Sequence, residues 1–137
     1  MHIDPDRAQF DAFKALARDT PISMLNLVRV RDRAAYPDGR EVSGHDAYLA
    51  YGRESAPVLA RVGGSILWRG AWETTLIGPP DERWDFCFIA RYPNAGAFLA
   101  MVTDPVYQEA VRHRQAAVSD SRLIRLGDMQ GGTGFAG

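Results

Sequence analysis

The sequence predicts an α+β fold in which a four-stranded antiparallel sheet carries its helices on one side, with one extra helix in front. Three observations predict it. Hydrophobic spacing switches between period 2 and period 3.6 in the order β-α-β-β-α-β after a leading helix. Glycine, proline and capping residues punctuate each switch. The strands are apolar on both sides, where a sheet wetted on one face would alternate apolar with polar. That order is the split βαβ, or ferredoxin-like, plan.

Each element has its own signal. Asp4-Pro5 is a helix start, and Phe10, Phe13, Leu16 and Ala17 recur at helical spacing to about Arg18. Thr20-Pro21 ends that helix, and "ISMLNLVRV" (Ile22 to Val30) is β-rich and apolar. The loop "RDRAAYPDGREVSG" holds a Pro-Asp-Gly turn. Ser43 and Asp46 have capping-box spacing ahead of a helix whose stripe is Tyr48, Tyr51, Ser55, Leu59 and Val62. Pro57 should bend it, and Gly63-Gly64 should stop it. Two strands follow, Ser65 to Glu73 and Trp84 to Tyr92, joined by "TTLIGPPDER". Pro93-Asn94 opens the helix "AGAFLAMV", and Asp104-Pro105 opens "PVYQEAVRHRQAAV". "SRLIRL" is the last strand, before a tail with five glycines in eleven residues. The expected division is an N-terminal helix at 1–20, one domain over 21–127 and a flexible glycine-rich tail over 128–137.

Composition sets the class. With 46% hydrophobic and 24% charged residues, the 137-residue chain has an ordinary globular balance and the size of one domain. Its formal net charge of -1, with basic residues dispersed among acids, argues against a nucleic-acid surface or an anionic membrane. No apolar run reaches the ~20 residues that span a bilayer. A lone cysteine, Cys87, and a polar N-terminus without signal-peptide character fit a cytoplasmic protein. The three histidines lie far apart, and no glycine motif cradles phosphate, so neither metal nor cofactor is expected.

The two-sided apolar sheet predicts a partner. Both crossovers fall on one side, so the helices cover only one face. Left bare, the other face would be an aggregation hazard. A second copy of the chain is the economical cover, giving a homodimer packed sheet to sheet. On this view Trp68 and Trp72 project from one side of their strand together with Ile66.

Several residues are candidates for chemistry. Asn26 sits in mid-strand within an apolar run. It is either an amide bonded to backbone or a neighbour, or a donor and acceptor aimed into a pocket beside the sheet. His113 could carry a proton and Arg114 could hold a carboxylate or enolate oxygen; equally, His113 could be solvated and Arg114 could snorkel over Tyr107 or pair with Glu109. Tyr48 and Tyr51 face the sheet as core aromatics or as donors to a substrate carbonyl. Trp68 and Trp84 are packing residues or walls of the pocket. Arg69, with apolar neighbours, needs a partner, and Asp85 on the adjacent strand is the expected one.

The stretches "MLNLVRV", "AYPDGREVSGHDAYLAYG", "RVGGSILWRG", "WDFCFIARYPNAGAFLAMVTDPVYQEAVRHR" and "DSRL" together resemble the domain of unknown function 1330 family, in the dimeric α/β-barrel superfamily, from about Pro21 to Leu126. The resemblance implies a ferredoxin-like fold and a dimer, and it implies no established activity. The chain departs from the widespread family pattern. Arg91-Tyr92-Pro93-Asn94 stands for Glu-Phe-Pro-Ser, Met101-Val102 for a Trp-Tyr pair, and Ile77 for an acidic residue. Roles resting on those carboxylates do not carry over. Some cofactor-independent monooxygenases of the superfamily combine a first-strand Asn with a Trp and a helical His, parts that Asn26, Trp68 or Trp84, and His113 could play.

Two functions follow as expectations. One is a cofactorless enzyme acting on a small organic molecule by isomerisation, lyase-type proton transfer or oxygenation. In it Asn26 orients the substrate, His113 moves a proton, Arg114 stabilises negative charge, and Tyr48 and Trp84 shape the cavity. The other is a non-catalytic small-molecule-binding or stress-response dimer with the same pocket.

Overall fold

A computed structural model describes all residues from Met1 to Gly137. The elements run α1 (Arg7–Ala15), β1 (Ile22–Val30), α2 (Gly44–Arg61), β2 (Ser65–Gly70), β3 (Phe86–Tyr92), α3 (Ala95–Val102), α4 (Pro105–Ala117) and β4 (Val118–Gly127). The strands form one antiparallel sheet in the order β2-β3-β1-β4, the ferredoxin-like arrangement. No helix is long and apolar enough to cross a membrane.

The helices begin where side-chain oxygens meet free backbone N–H groups. Ser43 accepts from the Asp46 N–H, Asn94 from that of Ala97, and Asp104 from that of Val106. For α1 the cap is Asp6, which accepts from the Gln9 N–H at 2.7 Å, so the helix starts two residues after Asp4-Pro5 and ends at Ala15. Pro57 lies within α2, which runs through it unbroken to Arg61. At the start of α2, a Cβ on Gly44 would stand 1.9 Å from the Arg31 carbonyl oxygen, so only glycine lets loop and helix approach this closely.

β1 shows how the sheet is buried. Ile22, Met24 and Val28 point at the helices and are buried; Leu25 and Leu27, on the outer face, are half-buried. The core beneath the helices divides into two clusters. Ile22, Met24, Val58, Phe98 and Tyr107 make one, while Val28, Ala47, Tyr48 and Val118 make the other. On the outer face Trp68 is 56% exposed, Ile124 43% and Leu126 44%, so nothing in the chain covers them.

Two strand expectations need correction. The second strand stops at Gly70 and the third starts at Phe86, which leaves Trp72 and Trp84 outside both. More consequentially, β2 carries a register shift against β3: Ile66 pairs with Ala90 but Trp68 pairs with Ile89. The extra residue, Leu67, turns the rest of the strand over. Ile66 therefore faces the helices and Trp68 faces outward, so they do not share a side. The indole lies across Gly70, where a Cβ would come within 2.3 Å of the ring. Trp72, past the strand end, donates its indole N–H to Thr75 Oγ1 at 3.0 Å.

Candidate functional site

Between the inner sheet face and the helices lies a cavity of about 1330 Å³. Strand register fixes its floor. Asn26 of β1 stands opposite Phe88 of β3 on one side and Leu123 of β4 on the other, and Phe88 in turn stands opposite Arg69 of β2. Same-face residues across adjacent strands are neighbours, so Arg69, Phe88, Asn26 and Leu123 form one row. Tyr51 from α2 and Tyr107 from α4 overhang the cavity, their hydroxyls 2.9 Å apart.

The N-terminal segment covers part of the β4 end. The His2 N–H donates to Asp120 Oδ1 at 2.9 Å, and Ser121 Oγ donates to the His2 carbonyl at 2.7 Å. Arg114 donates to the Ile3 carbonyl and, at 3.2 Å, to Ser121 Oγ. Helix α1 continues the closure: Arg125 donates to the Phe13 and Ala17 carbonyls, and Phe13 packs on Phe98 at 5.0 Å. At the β2 end the lining residues Leu49 and Ile66 are 40% and 43% exposed, so the cavity opens there, and on the β4 side the lining residue Leu123 is 42% exposed.

The titratable groups inside are mostly phenols. Burial pushes the Tyr48 and Tyr51 hydroxyls well above their ordinary range, and it raises Tyr107 as well. All three stay neutral and act as hydrogen-bonding groups. Tyr48 packs on Phe86 with ring centroids 4.5 Å apart. Asn26 donates from Nδ2 to its own strand's Met24 carbonyl at 3.1 Å. That bond meets part of the amide's need and leaves its oxygen for the cavity.

The structure separates the sequence-derived candidates. Asn26, Tyr48, Tyr51 and Arg114 line the cavity. His113 does not: its Nδ1 lies 2.5 Å from the Tyr36 hydroxyl and its Nε2 2.7 Å from the Glu54 carboxylate, on the flank of α4 shared with the 31–43 loop. Asn26 and His113 therefore do not open onto one cavity. Trp68 is on the outer sheet face. Trp84 is buried outside the cavity, between the guanidinium groups of Arg29 and Arg122 at 5.6 and 5.5 Å. Arg69 has no bond to Asp85, which instead accepts from the Val30 N–H at 2.8 Å. Sequence reading missed Tyr107, Phe88, Arg53 and the N-terminal closure as cavity features. Tyr107 shares a helical stripe with Arg114 and could have been found; the closure spans more than a hundred residues of sequence and carries no local signal.

Residues 39–126 match the model of DUF1330, a domain of unknown function. Among solved structures, that of the methylated RPA0582 protein of Rhodopseudomonas palustris, of unknown function, is 60% identical; the match covers 96% of this chain and 98% of that one, with a TM-score of 0.94. A dimeric protein of unknown function and ferredoxin-like fold from Bacteroides fragilis is 12% identical over 82% of this chain and all of that one, with a TM-score of 0.51. SnoaB, a cofactor-independent oxygenase from Streptomyces nogalater, is 15% identical over 82% of this chain and 96% of that one, also with a TM-score of 0.51. These last two likenesses are of fold alone. No curated protein matches the chain. With its β2-β3-β1-β4 sheet and a family match over most of its length, the chain belongs to the DUF1330 family of ferredoxin-like proteins.

Proposed function

We propose that the protein binds a small, largely apolar organic molecule in the cavity between sheet and helices, as one subunit of a homodimer joined through the outer sheet faces. The observation that carries the binding reading is the cavity's make-up: Phe86, Phe88 and Tyr51 give it aromatic walls, and Asn26 and the tyrosine hydroxyls give it a few polar points. Ligand sites have this character, apolar surface with a small number of orienting polar groups. The neutral dye N-phenyl-1-naphthylamine tests it. Saturable fluorescence enhancement is expected, and Ala90→Phe, which fills the floor from a buried lining position, should abolish it while the circular dichroism spectrum is kept. Enhancement that is absent, or equal in this variant, overturns the reading.

The homodimer rests on the uncovered outer face. Leu25, Leu27, Ile89, Trp68, Ile124 and Leu126 share it, and four strands at ~4.8 Å spacing and ~20 Å length give a flat area of about 400 Å² before side-chain relief, about half of the roughly 800 Å² per partner of a standard interface. Light scattering should give twice the 15.2 kDa chain mass, and Trp68→Glu should halve it. A single-chain mass at every concentration removes the dimer.

Cofactor-independent catalysis is the second reading, favoured by the free amide oxygen of Asn26 and the guanidinium of Arg114 lining one cavity. There Asn26 orients a substrate, Arg114 stabilises negative charge, and Tyr48 or Tyr51 donates to a carbonyl. The fold shared with SnoaB is in keeping with it. His113 takes no part. Loss of turnover in Asn26→Ala with dye binding intact would separate this reading from binding alone.

A further inference from the structure

Resting on the small-molecule reading, we propose that the cavity takes an organic acid: a hydrophobic or aromatic carboxylate that enters at the β2 end, its anionic group held by Arg69 and Arg53. The charge of the lining is the first ground. Five arginines line the cavity against one carboxylate, Asp4, in a chain whose formal net charge is -1. Three of the five are already engaged. Arg114 and Arg125 donate to backbone carbonyls of the N-terminal segment and α1, and Arg122, opposite outer-facing Leu27, pairs with Asp120 at 2.9 Å.

Arg53 and Arg69 are not engaged. Neither takes part in any of the chain's ion pairs or side-chain hydrogen bonds. Both line the cavity at the open end, Arg53 on α2 and Arg69 on β2. A guanidinium is charged at every physiological pH and presents a planar fork of donors that matches a carboxylate. The β2 bulge puts it there. Without the extra residue Leu67, Arg69 would project from the outer face; with it, Arg69 faces the cavity opposite Phe88.

The row on the floor then sets the ligand's shape. From Arg69 past Phe88 to Asn26 is two strand spacings, ~10 Å, which suits a carboxylate on a two-ring body. The acid group meets Arg69, the rings lie over Phe88, and any polar group at the far end reaches the Asn26 oxygen. The neutral phenols of Tyr48, Tyr51 and Tyr107 add no charge to repel an anion. Asp4 belongs to the opposite, β4 end.

Displacement of N-phenyl-1-naphthylamine by 2-naphthoate and by the uncharged 2-naphthylmethanol tests this on the full chain. The acid should compete about tenfold better than the alcohol at low salt, as expected of a charge-assisted pair, and lose that advantage in 0.5 M NaCl. Arg69→Gln and Arg53→Gln should each weaken 2-naphthoate while leaving 2-naphthylmethanol within about twofold. Equal competition by acid and alcohol, or an acid preference that survives both substitutions, overturns the assignment while dye binding keeps the parent reading. Failure of the neutral dye to bind overturns both.

Discussion

Tyr36 and His113 are joined hydroxyl to Nδ1 at 2.5 Å, across 77 positions of sequence, and the far nitrogen of the same ring meets Glu54 at 2.7 Å. The imidazole thus bridges the Glu54 carboxylate and the Tyr36 phenol, one ring nitrogen to each. The chain of bonds ties the 31–43 loop to α4 and α2. Arg40 lies over the Tyr36 ring at 4.3 Å and holds the loop side of the arrangement.

This bonding gives His113 a structural role. Tyr36→Phe and His113→Ala should each lower stability by about 1 kcal/mol, with a coupling of at least about 0.5 kcal/mol in the double variant. Urea unfolding of the four proteins measures it, and dye binding in the cavity should be unaffected. Strict additivity would show that the bond carries no stability.

Gly44→Ala should be harsher. The added Cβ meets the Arg31 carbonyl oxygen at 1.9 Å, a clash with backbone that no rotamer relieves. A loss of about 1–3 kcal/mol is expected, seen as a lower urea midpoint with an unchanged slope. A wild-type midpoint would mean that the loop yields freely.

Trp84 anchors the 71–85 segment rather than a ligand. Arg29 spans Trp84 and the carbonyls of Asp81 and Arg83, so removing the indole leaves a void where loop meets sheet. Trp84→Ala should cost about 3–5 kcal/mol and leave dye affinity within about twofold. A larger change in affinity than in stability would put the indole back in the binding site.

Asp38 supplies an acid-side prediction. The Arg40 side chain hydrogen-bonds its carboxylate and holds its pKa down at about 2. A depressed acid stabilises the fold above its unfolded pKa, near 3.8, and loses that contribution as pH falls through about 2. Carboxyl carbon chemical shifts should place the Asp38 midpoint near 2, and Arg40→Gln should return it toward 3.8. An unmoved midpoint would dissociate the pair.

The tyrosines supply the alkaline counterpart. Burial raises Tyr48, Tyr51, Tyr92 and Tyr107, so the folded chain holds phenolic protons that the unfolded chain releases near pH 10. Stability from these groups is complete below that pH and is lost above it. Phenolate absorbance at 295 nm should therefore rise together with unfolding. A smooth titration centred on pH 10 in folded protein would show the hydroxyls open to water.

Element order, strand apolarity and helix punctuation were legible because they are local: period 2 against period 3.6, Ser43 and Asn94 as caps, Gly63-Gly64 after α2. Asn26 and Arg114 were legible as cavity residues because a polar group in an apolar run, or on a core-facing stripe, has few other places to be. His113 was misplaced because its stripe lies one step round the helix from that of Arg114, and only packing decides which stripe meets the sheet.

The sequence by itself therefore determined the sheet's composition and its two apolar faces, since those follow from side-chain alternation along each strand. Tertiary structure alone decided which residues share the cavity. One bulge at Leu67 reversed Trp68 and Arg69, and an N-terminal segment covered part of the β4 edge through bonds to Asp120, Ser121 and Arg114. Neither is written in a local pattern, because register and long-range closure are set by partners distant in the chain.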